Sequence, residues 1–376
     1  MIFIVLLRPW VLIRFGALRS ERIGHFAADT EAYVQERRLR QSKKVIDIIG
    51  CTEPVCNRQL ELMWRRVFPI TSRYSFAIKS LERACSAWTQ SSVHSVSLRD
   101  RSSEYRRFVD TTPSLEFTEE EERLGRQVLL TLGLPPDAEW VCIHNRDSAY
   151  LEKTFQRRFS YHDYRDYNIE SMLAAAEELA ARDYYVFRMG AIVKDEMPSS
   201  NTRIIDYANS TLRSDFLDIY LLARSKFFLG NDSGIYGIPL IFRRPIAMTN
   251  FLFLANFYEK DYGPWLFTPK RIRDPLSGRF LTLRETLLAG LGDADRTEVF
   301  SAAGVELISN SGEEILELAV ELDDRGKGTW KPDPVDEGLQ QKFWEIFVEH
   351  ANGRDIPNRR ARIGAGFLRR HTDFLT

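Results

Sequence analysis

Cysteine is scarce in this chain of 376 residues, and its spacing excludes more than its number does. Cys51, Cys56, Cys85 and Cys142 form no C-x-x-C pair, and no histidine stands at metal-ligand spacing from them. That argues against a zinc site and against a disulfide framework, and leaves free thiols in a reducing compartment as the expectation. Charge of one sign is lacking as well: 52 Lys and Arg stand against 53 Asp and Glu, for a net charge of -1. No global field would hold nucleic acid, so nucleic acid is not an expected partner and any anion site must be built locally. Long apolar runs are missing too. The opening "MIFIVLLRPWVLIRFG" is interrupted by Arg8, Pro9 and Arg14, and it falls short of the roughly 20 apolar residues that span a bilayer. Without a basic leading region or a small-residue cleavage site it does not read as a signal peptide. Repeats and low-complexity tracts are absent.

What is present is alternation. The chain opens β-α-β-α: a strand at Leu12–Phe15 ended by Gly16, a helix at Ile23–Arg37, a strand "KVIDII" closed by Gly50, and helices at Leu60–Phe68 and Tyr74–Trp88. Residues Ser91–Pro113 show no clear period. "FTEEEERLGRQVLLTLGL" predicts a helix with Thr118 as N-cap, Glu119–Glu122 in its first turn and Gly133-Leu134-Pro135-Pro136 as its stop. Beyond it "EWVCIHNR", "YYVFRMG", "RIIDYA", "KFFLGN", "RPIAMTN" and "GVELIS" read as strands, and "FTPKRIRDPLSGRFLT" as a hairpin. "DYNIESMLAAAEELAARD", "LRSDFLDIYLLARS", "GIYGIPLIF" and "SGEEILELAVELDD" read as helices between them. Repeated βα units imply parallel sheets covered on both faces.

Four segments carry candidate chemistry, each at the end of an expected strand, where open parallel sheets bind ligands. "FFLGNDSGIYGIPLIF" halts an apolar run at Gly230-Asn231-Asp232-Ser233-Gly234. A helix N-terminus there would favour a phosphate, with Gly230 and Gly234 allowing close backbone approach, Ser233 donating and Asp232 bracing the turn or meeting a ribose hydroxyl. "CIHNRDSAYL" offers Arg146 as a bidentate phosphate clamp, His144 as a donor to a phosphate or sugar oxygen, and Asp147 to orient Arg146. "FRMG" sets Arg188 and Gly190 at another strand end, with Lys194 as a solvated alternative. "RFGALRSERIGHFAAD" supplies Arg22, Gly24 and His25 in a loop opening a helix, with Asp29 one turn later. A neutral imidazole at His25 can take a proton from a hydroxyl; Asp29 is the rival base and Arg22 an aid to a leaving diphosphate. Lesser candidates are Asn250 as a cleft-lining residue and Lys270, beside Arg271, which could meet a phosphate but reads more readily as part of a solvated face. "HDYRDYN" reads as a lid-like loop holding Arg165 and Asp166 before a cap at Asn168. The one D-x-D string, Asp293-Ala294-Asp295, lies in a polar loop with no strand before it and is assigned no metal.

"RIIDYANSTLRSDFLDIYLLARSKFFLGNDSG" resembles the nucleotide-binding half of two-domain glycosyltransferases of the GT-B type, heptosyltransferase-like members in particular. The likeness runs through Asp206, Leu212, Asp218 and Ala223 to Asn231-Asp232-Ser233-Gly234. It stops at Ile235-Tyr236-Gly237, where those enzymes continue with proline and a nearby histidine, so Tyr236 stands where relatives differ. His144-x-Arg146-Asp147 is similar to the H-x-R-x-x-D pattern of GT-B fucosyltransferases, with the acid moved next to the arginine. Taken in order, these motifs also resemble a family of bacterial glycosyltransferases from surface-polysaccharide gene clusters. That resemblance covers most of residues 137–257 and reaches weakly to "RIGH" and "IGAGFL".

The resemblance implies an α/β fold of two Rossmann-like domains facing a central cleft. Residues 1–125 would form the acceptor-side domain, residues 126–335 the nucleotide-sugar domain, and residues 336–376 C-terminal helices packing back on the first. It implies a nucleotide-sugar donor with no further cofactor, and a glycan or lipid-linked acceptor. The location would be cytoplasmic, with peripheral contact to the inner membrane through Met1–Trp10 or the basic tail "NRRARIGAGFLRRH" as the alternative. His144, Arg146, Asp147, Arg188, Gly190, Asp206, Asn231, Asp232, Ser233 and Gly234 would bind donor; Arg22, Gly24 and His25 would face the acceptor. Two other functions suit the same fold: a nucleotide-sugar 2-epimerase, and a non-catalytic nucleotide- or glycan-binding protein. Sugar, nucleotide, acceptor and oligomeric state are left open.

Overall fold

The computed structural model describes residues 2–39, 44–88, 93–98, 101, 105, 108, 110–155, 160–252, 254, 265–351, 353 and 361–376. The first unit begins with a short helix α1 (Ile2–Leu7) and is organised by a parallel pair, β1 (Leu12–Leu18) and β2 (Val45–Cys51), in register from Leu12↔Val45 to Leu18↔Cys51. β3 (Ile70–Thr71) extends β2, and Phe15 bridges Ser95 on the other side of β1. α2 (Ile23–Leu39), α3 (Arg58–Val67) and α4 (Ser75–Trp88) connect these strands. Asn57 caps α3 through the Leu60 amide. α2 has no wet face over its middle: every residue from Phe26 to Gln35 is buried. Ala27, Ala28 and Ala32 keep it thin, and its buried polar residues reach for partners on both sides.

The second unit is built on a seven-stranded sheet in the order β12-β9-β8-β7-β4-β5-β6. Its strands are β4 (Trp140–Ile143), β5 (Tyr185–Arg188), β6 (Ile204–Ile205), β7 (Phe228–Gly230), β8 (Ile246–Phe251), β9 (Trp265–Pro269) and β12 (Arg362–Ile363), all parallel. β10 (Arg271–Arg273) and β11 (Glu306–Ile308) form a separate antiparallel pair. Chain order runs outward from β4 through β5 and β6, then returns to β4's other side for β7, β8 and β9. This is the doubly wound pattern, with its switch point between β4 and β7. All four residues of β4 are buried, as strands covered on both faces must be. The main helices over this sheet are α6 (Ala149–Phe155), α7 (Leu173–Ala181), α8 (Asp215–Arg224), α9 (Gly237–Ile241), α10 (Leu283–Leu288), α11 (Thr297–Ala302), α12 (Gly312–Lys327), α13 (Pro334–Ala351) and α14 (Ala365–Arg370).

α5 (Glu119–Thr131) joins the units. Thr118 and Glu121 form a reciprocal capping box at its start, as its sequence predicts. The helix belongs to both sides, so a boundary at 125/126 cuts through it. Glu121 accepts from Gln59 and Arg66 of the first unit (2.5 and 3.0 Å), while Glu122 accepts from Tyr220 of the second (3.2 Å) and pairs with Arg224.

The α/β architecture of two units is as expected, and one hydrophobic core runs across both, from Leu18, Phe26 and Trp64 to Ile238, Phe242 and Phe343. Two expectations change. Among the described residues, the C-terminal segment completes the second unit instead of forming a layer on the first: β12 pairs with the β9 edge (Arg362↔Leu266, Ile363↔Phe267) and Phe343 packs on Phe267, which covers an otherwise open strand edge. Its basic charge is met by neighbouring acids, Arg369 by Asp336 and Arg370 by Glu313 and Glu317; the tail's residues 358–360 and the stretch 255–257 after Asn250 lie outside the described residues. "GIYGIPLIF" is not one regular helix but a 3-10 turn, Gly234–Tyr236, running into the five residues of α9. No helix among the described residues is long and apolar enough to cross a membrane.

The units are also pinned by charge. Arg243, at φ 58°, reaches across to Glu31 of α2 (Nη2–Oε1 2.7 Å) and to the Thr111 carbonyl (3.1 Å). Glu31 is fully buried. Glu31→Ala therefore leaves a half-buried guanidinium without its counter-ion and is expected to cost about 2–3 kcal/mol, less than a fully buried pair because Arg243 keeps some solvent. Urea denaturation measures it, with exposed Glu120→Ala as the neutral control.

Candidate active site at the strand switch point

β4 and β7 are neighbours in the sheet (Cys142↔Phe228, Ile143↔Leu229), so the segments that follow them emerge side by side. Gly230 makes this fit possible: a Cβ there would stand 2.8 Å from the His144 carbonyl oxygen and 2.7 Å from the Phe228 ring. Asn231 then ties three segments together. Fully buried, it accepts the Arg146 amide at Oδ1 (3.1 Å) and donates from Nδ2 to the Arg165 carbonyl (2.8 Å). Arg165 ends a 3-10 helix, Ser160–Arg165, and donates from Nη1 to the Asp232 carbonyl (3.0 Å). Asn168 caps the next turn through the Glu170 amide, as read from the sequence. The "HDYRDYN" segment is thus built into the site wall.

The charge here is concentrated and positive. Arg146 is buried; its Nη1 donates to the His162 carbonyl (3.1 Å) and pairs with Asp166. Burial, helped by the charge of Arg165, pushes its pKa down to about 10. Lys270, at the end of β9, donates to the Tyr164 and Asp166 carbonyls, both at 2.9 Å. Burial, then Arg146, pushes its ammonium down to about 8. The His162 imidazole is pushed down to about 3 by burial and by Arg165, Arg146, Arg22 and Arg296. A neutral ring thus lies in the field of four guanidiniums, one of them, Arg22, from the first unit.

Four buried polar atoms at this place have no protein partner: Arg146 Nη2, Arg165 Nε, Ser233 Oγ and His162 Nδ1. A buried donor left unpaired costs ~1–3 kcal/mol, and native interiors rarely tolerate it without a reason. Three such donors in a positive field suit the oxygens of a diphosphate. Ser233 makes no capping bond to the turn that follows it, so its hydroxyl is not spent on the backbone. With α9 so short, its dipole adds little, and it is the side chains rather than the helix terminus that would hold an anion here.

The first unit brings its candidate base to the same point. Gly24 lies against the turn: a Cβ on Gly24 would stand 2.8 Å from Gly234 Cα, and one on Gly237 3.1 Å from Gly24 Cα. His25, the next residue, meets Asp29 through Nδ1 at 2.9 Å. Burial acts to raise the Asp29 pKa, but its hydrogen bonds to His25, Tyr105 (2.7 Å) and the Arg101 amide (3.1 Å) outweigh that and hold it below its ordinary value. An ionised carboxylate can only accept, so Nδ1 carries the proton of this bond. Asp29 is 1% exposed with both oxygens engaged, an arrangement that suits orienting His25 better than accepting a proton from a substrate.

Other sequence assignments shift on geometry. His144 donates from Nδ1 to the Met189 carbonyl (3.0 Å), and burial with the charges of Arg188 and Arg146 pushes it down to about 4. Its neutral Nε2 is an acceptor, suited to a hydroxyl and not to a phosphate. Asp147 does not orient Arg146; it accepts the Ala149 and Lys194 amides, both at 3.0 Å, and Asp166 is the partner of Arg146. Arg188 is fully buried, spent on Asp206 (3.1 Å), Asn145 (3.3 Å) and the Asp195 carbonyl (3.1 Å). Asp206 also holds the Met197 amide and Asn209, so both residues brace the loop after β5. Gly190 sits in that loop, where a Cβ would meet Val193 at 2.5 Å. Gly230 and Gly234 bring protein segments together rather than opening backbone to a phosphate. Asn250 is buried in a reciprocal pair with Asn310 (2.6 and 2.8 Å), not on a cleft wall. Lys270 is buried, not solvated, and Arg271 pairs with Asp373 and stacks on Phe280. Sequence reading assigned no role to Tyr105, Arg101 or His162; they lie far from their partners along the chain, and no local pattern marks them.

No protein-family model matches the sequence, and no curated protein sequence matches it. Among solved structures it is similar to a family 9 glycosyl transferase from Veillonella parvula, at 11% identity over 69% of this chain and 87% of that one, with a TM-score of 0.40. It is similar to the ADP-heptose LPS heptosyltransferase II of E. coli, at 13% identity over 63% and 84%, with a TM-score of 0.38. A third is the E. coli heptosyltransferase WaaC with ADP-2-deoxy-2-fluoro heptose, at 13% identity over 70% and 94%, with a TM-score of 0.34.

Two outcomes are expected of the anion site. Arg146→Ala lowers nucleoside-diphosphate affinity about 100-fold, and Ser233→Ala about 10-fold, by isothermal titration calorimetry. The same affinity falls as pH rises from neutral through about 8, because Lys270 loses its proton there; in Lys270→Met that fall is absent.

Proposed function

We propose that this protein is a glycosyltransferase that moves a sugar from a nucleotide-sugar donor to a glycan or lipid-linked acceptor. We place it in bacterial surface-polysaccharide assembly, with transfer metal-independent and inverting. The observation that carries the reading is the juxtaposition at Gly24 and Gly234. It sets the buried unpaired donors of Arg146, Arg165 and Ser233 on one side of a contact and the His25–Asp29 pair on the other.

The step is one displacement. His25 Nε2 takes the acceptor hydroxyl proton as the oxygen attacks the sugar's anomeric carbon. The bond from that carbon to the diphosphate breaks, and its electron pair leaves with the nucleoside diphosphate. Arg146, Arg165, Ser233 and Lys270 receive the growing negative charge in a buried, prearranged setting, which is where such donors act most strongly. They provide positive charge that a divalent ion could otherwise provide. Asp29 stabilises the imidazolium that forms. Backside attack with a separate base inverts the anomeric centre. Tyr236, half-buried beside the turn, is placed to influence which nucleotide is read. An epimerase would need carboxylates round the sugar ring, and Asp147, Asp166 and Asp206 are occupied by backbone amides or arginine.

The test begins with thermal shifts against GDP, UDP, ADP, dTDP and CMP, where a bound nucleotide at 100 times its Kd adds about 2.7 kcal/mol. The matching nucleotide sugar is then incubated with and without glycan or lipid-linked acceptors. Transfer to an acceptor, with His25→Ala reducing kcat about 100-fold or more while donor affinity is kept, supports the proposal. Epimerised donor without acceptor would sink it, as would donor binding with no turnover on any acceptor.

A further inference from the structure

A cavity opens on the far side of α2 from His25. Val34, in its wall, stands nine residues on, two and a half turns, and so on the opposite helix face. The cavity holds about 720 Å³, within the range that takes a small-molecule ligand. Val34, Met63, Val67 and Phe117 give it an apolar floor. Three guanidiniums stand round it, Arg37, Arg38 and Arg66, against one lining acid, Glu116.

The arginines are arranged unequally. Arg66 is held in place by Glu121 (3.0 Å) and the Glu116 carbonyl (3.3 Å). Arg37 lies over the Phe68 ring at 6.0 Å. Among the described residues no salt bridge to a carboxylate holds Arg37 or Arg38. Arg243 stands close enough to feel Arg38, but its own charge is met by Glu31: burial lowers its pKa, Glu31 acts to raise it and the charge of Arg38 acts to lower it. Glu31, the partner of Arg243, is already engaged with Gln35 and the Ser114 amide. The opposite wall is the 112–118 strap that leads from the first unit into α5, tied by Gln35 on one side and Arg243 on the other.

Uncompensated guanidiniums over an apolar floor select two properties at once, a planar or tetrahedral oxyanion and a hydrocarbon or aromatic body. We propose that this cavity is a binding site for an amphipathic anion, a phosphate or carboxylate on an apolar group, separate from the nucleotide site. Its occupant would neutralise the arginines and fasten the strap, and so regulate how firmly the two units are held. The inference does not rest on the transferase reading, because its readout is binding.

Isothermal titration of the full chain with octyl phosphate, octanol and inorganic phosphate tests it. Octyl phosphate is expected to bind at least about 10-fold tighter than either fragment. Arg37→Gln/Arg38→Gln, at exposed positions, is expected to remove that advantage with the thermal midpoint unchanged. Excess nucleoside diphosphate should leave octyl phosphate bound. Flotation with phosphatidylcholine vesicles containing phosphatidic acid separates the sources. Arginine-dependent capture by vesicles assigns the anion to a membrane lipid, and binding of octyl phosphate alone assigns it to a soluble compound. Equal affinity for octanol, an unaffected double variant, or displacement by nucleotide would each overturn the proposal.

Discussion

Three glycines in contact, Gly24 against Gly234 and Gly237, set the distance on which the rest of the site depends. Backbones from two α/β units meet there with no side chain between them. A Cβ on Gly24 would stand 2.8 Å from Gly234 Cα and force a shift, and one on Gly234 or Gly237, at 3.2 and 3.1 Å from Gly24, would ask the facing backbone to give way. The thin middle of α2, with Ala27, Ala28 and Ala32, carries the approach along its length. A hydrophobic core that crosses the boundary and the Arg243–Glu31 pair keep it closed. Placement of the candidate base relative to the anion site is thus a matter of steric minimum, which is more exacting than a hydrogen bond.

The electrostatics follow from that frame. A chain with nearly equal counts of either charge can still build a strongly positive centre, because burial and not composition decides the local field. Arg146, Arg165 and Lys270 are spread over 125 positions in sequence, yet backbone carbonyls and Asp166 gather them round one turn. The lowered pKa values of Arg146 and Lys270 are the thermodynamic sign of this crowding: like charges and desolvation act together, and an anionic ligand would relieve both.

Much of this was legible in the sequence, and the failures share a cause. The βα alternation, the capping of α5 at Thr118, the Asn168 cap and the meeting of the Arg146 and Asn231–Gly234 segments at two strand ends all rest on local pattern, where period and side-chain chemistry suffice. The wrong assignments concern partners. Asp147 stands next to Arg146, so adjacency suggested a pair, but neighbouring residues after a strand diverge and Asp166 closes the distance instead. Arg188 ends β5 and Arg146 follows β4 by three residues; only the fold shows that Arg188 is fully buried and pairs with Asp206. Lys270 was read as solvated because nothing in "TPKRIR" signals burial. The C-terminal segment was placed by analogy, whereas its own Ile363 and Phe343 had an unpaired strand edge to cover much nearer. Pairings between distant residues, such as Tyr105 with Asp29, carry no local mark.

The shared core has a further consequence for how such a chain can change over time. Two-unit folds with separable cores can exchange halves, one unit supplying a new donor preference and the other a new acceptor. Here α2 is interior to both units and α5 spends one glutamate on each. A transplanted half would have to bring a matching helix with it. New specificity is therefore expected to arise by substitution within loops such as that holding Tyr236, and not by recombination of units.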